Sequence, residues 1–117
     1  MATTSIRTIS ISFTGDVSAV VPANEANNAL SPGKIDIVTL VIGANTITPP
    51  TGGSTPVACT IIPPTSNTAT ITLKGVTGDT GVVLHKTHST TIALNSPTST
   101  FVLTVSAEII GVRLIWS

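Results

Sequence analysis

The stretch Thr68–Lys74, which reads TATITLK, decides the fold class most clearly. In it Ala69, Ile71 and Leu73 alternate with three threonines and a lysine. In an extended strand, successive side chains point to opposite faces, so this period of two indicates a strand with one apolar face. The sequence therefore predicts a strand here that packs its apolar face against a core.

Similar short runs rich in Thr, Val and Ile recur along the chain and are separated by clusters of Pro and Gly, the residue pattern that is typical of strands and turns. Besides Thr68–Lys74, strands are predicted over Ile6–Thr14, Val17–Val21, Lys34–Ile42, Asn45–Thr48, Val57–Ile62, Val82–His85, Thr90–Leu94, Thr100–Ser106 and Val112–Trp116. Gly111 is predicted to separate the last two strands. The segment Ala23–Gly33 lacks strand character and is interpreted as a surface loop, with a single helical turn as the alternative.

Eight to ten short strands at a spacing of roughly 8–12 residues predict an all-β fold. We expect one antiparallel β-sandwich or jelly-roll-like barrel that spans residues 1–117 as a single domain. Met1–Ser5 is polar and is interpreted either as a flexible N-terminal arm that orders on assembly or as a frayed terminus.

Charge is scarce and evenly balanced in this chain. Charged residues make up 9% of the 117 residues, with five basic and five acidic side chains, against about 25% in a typical soluble domain. The basic residues are scattered, which argues against a nucleic-acid partner bound through a basic patch. No apolar run is long enough to span a membrane and no polybasic cluster is present, so no membrane partner is expected. The N-terminal residues lack the pattern of a secretory signal.

Low charge and a mean hydropathy of +0.51 together favour self-association, because a surface with few charges and no net charge is prone to associate. We therefore expect a component of an assembly whose surface is partly covered by other subunits. The alternative is a stable monomer coated with Thr and Ser side chains.

No catalytic constellation is visible. The five acids are separated from one another, and the G-x-S-x-G motif of a serine nucleophile is absent. Cys59 lies in an apolar strand context, which predicts a buried structural thiol. We therefore predict no catalytic residues and no enzyme activity.

No cofactor or metal site is predicted either. The glycines of Gly75–Gly81 lack the Lys-Ser/Thr pair of a phosphate-binding loop, and Asp79 among them is expected to bond to its own turn. His85 and His88 are the only histidines, and they are interpreted as surface or subunit-interface residues.

The chain has two Phe, one Trp and no Tyr. Phe13 and Phe101 lie mid-strand and are expected in the core, whereas Trp116 is expected either to cap the core or to insert into a neighbouring subunit. Aromatic scarcity argues against a carbohydrate-binding face. The candidate interface residues are Trp116, Arg113, His85 and His88.

Three stretches resemble small all-β virion structural proteins of tailed bacteriophages. They are Cys59–Pro64 (CTIIPP), Ile71–Val82 (ITLKGVTGDTGV) and Ile110–Trp116 (IGVRLIW). The resemblance implies a capsid decoration (cement) or head-surface protein, a small fibre or a tail accessory. It also implies a homo-oligomer, with a trimer favoured, that contacts major capsid or tail proteins and is located in the virion after synthesis in the host bacterial cytoplasm.

Two further classes compete with this expectation. The first is a binding module on a tail or fibre that recognises a receptor or glycan, which would need an exposed patch of aromatic or clustered polar residues. The second is an enzyme, which would need acids or a His–Ser pair brought together in a cleft.

Overall fold

In the computed structural model, the described residues form twelve strands, which lie in four antiparallel sheets. The structure describes residues 3–5, 11–13, 19–21, 28–30, 34–50, 56–94 and 100–117. The strands are β1 (Thr3–Ser5), β2 (Ile11–Phe13), β3 (Ala19–Val21), β4 (Asn28–Leu30), β5 (Lys34–Leu40), β6 (Gly43–Ile47), β7 (Ala58–Ile62), β8 (Ile71–Lys74), β9 (Val82–Val83), β10 (Thr90–Ala93), β11 (Phe101–Val105) and β12 (Ile109–Trp116).

Eight of these strands build a sandwich of two four-stranded sheets. Sheet I has the order β10-β7-β12-β5, and sheet II has the order β6-β11-β8-β9. Apart from β8 and β9, every two consecutive strands from β5 to β12 lie in different sheets. This is the strand order of an eight-stranded jelly roll. The all-β prediction is confirmed, and the topology selects the jelly roll among the sandwich arrangements that strand spacing left open.

The four N-terminal strands form two nested antiparallel pairs. β1 pairs with β4 and β2 pairs with β3, and among the described strands the two pairs form sheets separate from sheet I and sheet II. The strand Asn28–Leu30 corrects the prediction of a loop or helical turn in this part of the chain. The remainder of that loop, most of the predicted strand Ile6–Thr14 and the side chain of Phe13 lie outside the described residues.

The core lies between the two sheets and is formed by alternate residues of the strands. Its most deeply buried members include Leu40, Ile61, Ile71, Leu103 and Val112. Ala69 and Ile71 are buried and Leu73 packs against the same cluster, as the alternation in Thr68–Lys74 predicts. Strand β8 itself begins only at Ile71, because Asn67 bonds to the backbone amide and carbonyl of Ala69 and holds a turn there.

Gly111 does not separate two strands as predicted; it lies inside β12. Its φ is +84°, and the register of β12 against β5 shifts between Ile110 and Val112. A β-bulge with glycine in the left-handed region adds one residue to a strand. The extra residue lets Ile109 and Val112, three positions apart, both enter the core. The connection between β11 and β12 is instead Ser106–Glu108. No helix long and apolar enough to cross a membrane occurs in the described ranges.

Candidate docking face

The outer face of sheet I carries exposed apolar side chains. The outer face of sheet I, called the face below, consists of the outward-facing residues of its four strands. They are Ile35, Ile37 and Thr39 of β5, Ile110, Arg113 and Ile115 of β12, Thr60 and Ile62 of β7, and Thr91 and Ala93 of β10. Five of these ten residues are isoleucines. Arg113 is the only charged residue among them.

Three of the five isoleucines on this face are exposed to solvent over most of their surface, and Ile62 and Ile115 are half-buried. Ile35, Ile37 and Ile110 are 64%, 71% and 70% exposed, respectively. A typical antiparallel sheet that faces water carries polar side chains on its outer side. Contiguous exposed apolar surface on a folded domain marks an interaction site.

Strand register explains why these residues form one surface. Ile37 of β5 lies opposite Arg113 of β12, which in turn lies opposite Ile62 of β7. A parallel row is formed by Ile35, Ile115, Thr60 and Thr91, in which the two threonine hydroxyls lie 2.8 Å apart. Directly opposite side chains in antiparallel strands are close neighbours. The face is therefore continuous across all four strands.

The β5–β6 tip, Val41 and Ile42, extends the apolar surface beyond the end of the sheet. Both residues are exposed. The side chain of Asn45 holds the tip: its Oδ1 accepts a hydrogen bond from the Val41 amide at 3.0 Å, and its Nδ2 donates to the carbonyls of Val41, Gly43 and Leu103. The tip is thus fixed to β6 and to β11, and its apolar side chains are presented to solvent by a braced turn.

Two shallow grooves border Ile110 and Pro64. The basic groove, about 390 Å³, is lined by Ile62, Pro63, Gly111 and Arg113 beside those two residues. The acidic groove, about 240 Å³, is lined by Asn67 and Glu108 together with Ile110 and Pro64, and Ser66 lines both grooves. The bulge at Gly111 contributes to the basic groove and separates Ile110 from Arg113.

Trp116 lies in the core of the sandwich. It is 2% exposed, and its ring centroid is 6.4 Å from that of Phe101 in a tilted arrangement. Its indole Nε1 donates a hydrogen bond to Asp36 Oδ2 at 3.1 Å. Of the two roles expected for Trp116, capping the core is the one this position serves, and Arg113 is the candidate interface residue that lies on the outer face.

Cys59 is paired with Trp116 across the strands and is fully buried. Burial, with a smaller contribution from the nearby Asp36 carboxylate, raises the pKa of its thiol from 9.0 to about 12. A thiol with a raised pKa is a poor nucleophile, since the thiolate is the reactive form. The prediction of a buried free cysteine is confirmed.

His85 and His88 form a compact turn in the connection between β9 and β10. Their ring centroids are 4.1 Å apart. His85 Nδ1 accepts hydrogen bonds from the backbone amides of Thr87 and His88 at 3.2 and 3.1 Å, so the neutral ring carries its proton on Nε2. The pair lies on a different element from Arg113 and Trp116. Within the described ranges, no group of three or more His, Cys, Asp or Glu could hold a metal ion.

Asp79 is occupied by its own turn, as predicted. Its Oδ2 accepts hydrogen bonds from the amides of Gly75 and Val76 at 3.1 and 3.0 Å. A wider groove of about 590 Å³ opens beside it between β8–β9 and β10, and Leu73, Val82, Ile92, Leu94 and Phe101 give this groove a largely apolar lining.

Ile35, Ile37, Ile110 and Glu108 were not singled out from the sequence, although one signal pointed to the face. The run Lys34–Ile42 carries several apolar side chains on each of its two faces, which is typical of a strand that is covered on both sides. Compared with known proteins, the chain matches no protein-family model, no curated protein and no solved structure.

Proposed function

We propose that this chain is a non-enzymatic structural component of a bacteriophage virion. In this proposal it is a capsid decoration or head-surface protein that acts as a homo-oligomer, with a trimer favoured, and contacts major capsid or tail proteins. The observation that most supports the proposal is the outer face of sheet I, on which five isoleucines surround one arginine.

Burial of this face supplies the driving force for association. Removing an isoleucine side chain from water contributes about 1.5 to 3 kcal/mol when the burial is complete. Ile35, Ile37 and Ile110 are each about two-thirds exposed, so covering all three contributes several kcal/mol. Because the face carries one charge, little charge must be desolvated when it is covered.

Fold analogy points in the same direction. Double-sheet jelly rolls are used repeatedly for viral capsid domains, although the same fold also serves lectins and cupins. A fold hosts many functions, so this analogy supports the proposal only together with the exposed face.

The self-association part is tested by replacing Ile37 with Lys. We expect the wild-type protein to be oligomeric in light scattering on a sizing column, and Ile37→Lys to shift it towards the monomer, because an ammonium group in the middle of the face has to be desolvated on association. Val76→Lys is the matched control, since Val76 is 62% exposed and lies in the β8–β9 loop away from the face. A wild-type protein that is monomeric up to high concentration would remove the homo-oligomer from the proposal.

The virion part is tested separately. An antibody against the chain should label particles purified from a phage-producing culture of the encoding bacterium, and the protein should stay with those particles through a density gradient. Its absence from purified particles, with all of the protein in the cell fraction, would overturn the virion assignment.

A further inference from the structure

Two exposed side chains of opposite charge, one on the outer face of sheet I and one in the acidic groove, have no partner among the described residues. Arg113 lies among the isoleucines at the basic groove, and Glu108 lines the acidic groove. Both are exposed. Within the described part of the chain, neither side chain makes a hydrogen bond or an ion pair.

These two side chains do not pair with each other in one molecule. They are five positions apart, and a strand advances by about 3.3 Å per residue, which places their backbones roughly 15 Å apart. Each of them lines its own groove, and Ile110 and Pro64 contribute to both grooves. The surface therefore carries a positive site and a negative site separated by apolar side chains.

We infer that a second copy of this chain docks on this surface, with Arg113 of one copy paired with Glu108 of the partner subunit. The inference rests on the self-association in the proposed function and names the contacts that would direct it. Opposite charges placed in register give an interface its specificity, while the apolar surface gives it affinity.

The need for an acid opposite Arg113 follows from its surroundings. When the face is covered, its guanidinium loses water, and a charge that is buried without a partner is strongly destabilising. A carboxylate is the side chain that matches the two-pronged geometry of a guanidinium. A copy that covers the face of its neighbour must therefore bring a carboxylate to Arg113.

Among the described acids, Glu108 is the one that can pair with Arg113 of another copy. Asp36 accepts a hydrogen bond from the Trp116 indole on the inner side of β5. Asp79 is held by two amides of its own turn. Glu108 is the described acid whose carboxylate is exposed and uncommitted, while Asp16 and Glu25 lie outside the described residues.

The outer face of sheet I is too small to form a stable interface by itself, so the two grooves must belong to the interface as well. Four strands about 4.8 Å apart and about five residues long present a face of roughly 19 by 17 Å. A stable interface covers about 800 Å² on each partner. The sheet alone falls short, so a stable contact has to extend over Ile110 and Pro64 to the acidic groove and the β5–β6 tip.

The edge of sheet I is a less favourable route to association. No described strand pairs with the free side of β5. Natural sheets block such edges with an inward-pointing charge, and Asp36 is such a residue on β5. In the register that places Asp36 of two copies opposite each other, the two carboxylates repel. The outer face of sheet I has no charge that would repel a second copy in this way. Its one charge, Arg113, can pair with Glu108 of the partner subunit.

Charge reversal tests the pairing. The dissociation constant of the wild-type assembly is measured by sedimentation equilibrium at low salt, together with those of Arg113→Glu, Glu108→Arg and the double variant. We expect each single reversal to weaken association by about tenfold or more, because it places like charges together. The double variant, which restores opposite charges, should return to within about threefold of the wild type.

Lys86→Glu is the control, since it changes the net charge as much as Arg113→Glu does but lies in the β9–β10 loop; it should leave the constant unchanged. Thermal unfolding shows whether each variant is folded, and Arg113→Gln and Glu108→Gln replace any reversal that is not. Single reversals without effect, or a double variant weaker than both singles, would overturn the Arg113–Glu108 pairing. A monomeric wild type would instead contradict the self-association of the proposed function, so the two failures are distinguishable.

Discussion

At the scale of single residues, Cys59 shows how a core position shapes chemistry. Its thiol is enclosed by strands β10 and β12, faces Trp116 across the strands and lies near the Asp36 carboxylate. Burial and the neighbouring negative charge both disfavour the thiolate, which is why the pKa rises. The same surroundings that make the residue unreactive link it to the stability of the fold.

We predict that stability falls between pH 9 and about 12 because of Cys59. The unfolded thiol loses its proton near pH 9, whereas the folded thiol keeps it until about pH 12. The unfolded state then binds fewer protons, so the free energy of unfolding decreases as the pH rises, by up to about 1.4 kcal/mol per unit. Below pH 9 this contribution is fully present.

The measurement is urea unfolding at pH 8 and at pH 10.5, followed by Trp116 fluorescence. Cys59→Ala should be less stable than the wild type at pH 8 because of the cavity, but it should lose less stability on going to pH 10.5. The chain has no Tyr, and all titratable groups other than Cys59 are common to the two proteins. Equal alkaline losses in the two proteins would contradict the role given to Cys59.

Gly81 and Gly111 are two glycines with positive φ in different surroundings. A Cβ at Gly111 would meet no atom within 4 Å, whereas a Cβ at Gly81 would lie 2.5 Å from the Leu73 carbonyl oxygen and under 3 Å from Lys74 and Thr72. Backbone strain alone costs an alanine about 1 to 2 kcal/mol in the left-handed region. The collision at Gly81 adds to that cost.

We therefore predict that Gly81→Ala destabilises the sandwich by about 2 kcal/mol more than Gly111→Ala, since overpacking costs typically 1 to 3 kcal/mol. Urea midpoints of the two variants, compared with the wild type under the same conditions, check this. Equal losses would mean that the β8–β9 hairpin yields enough to remove the clash.

At the scale of elements, the alternation of apolar and polar residues predicts most of the fold. The alternation in Thr68–Lys74 predicted that Ala69, Ile71 and Leu73 share the face of their strand that packs on the core, and the structure confirms this. It also confirms strands close to the predicted Val57–Ile62, Thr90–Leu94 and Thr100–Ser106. Local patterns succeed here because a strand has only two faces.

The sequence did not reveal how the strands pair or what Gly111 does. Pairing joins residues that are far apart, such as Ile35 with Ile115, and strand spacing carries no information on such partners. A glycine between two apolar runs is typical of a turn, and only the register with β5 shows it to be a bulge. The outer face of sheet I could not be predicted from the sequence for the same reason, since it combines residues of four strands.

At the scale of the whole molecule, the symmetry of the assembly can be tested by mixing. In a mixture of Arg113→Glu and Glu108→Arg copies, unlike neighbours have opposite charges at both sites. A two-fold contact is reciprocal, so a mixed pair would be fully restored. A ring of three contains at least one contact between like copies, in which the charges repel.

For the trimer favoured here, we predict that the mixture assembles more strongly than either variant alone but more weakly than the double variant. Sedimentation of the three samples at equal concentration measures this order. Complete restoration in the mixture would instead indicate a two-fold dimer or a ring with an even number of subunits.

The central position of β12 also affects the order in which the molecule matures. β12 is the last strand of the sandwich to leave the ribosome, and yet it lies between β5 and β7 in sheet I. Until it inserts, those two strands have no common neighbour, and the bulge that presents Ile110 and Arg113 does not exist. A nascent or truncated chain therefore lacks the surface by which finished copies would recognise one another. Synthesis itself would keep incomplete subunits out of the assembly.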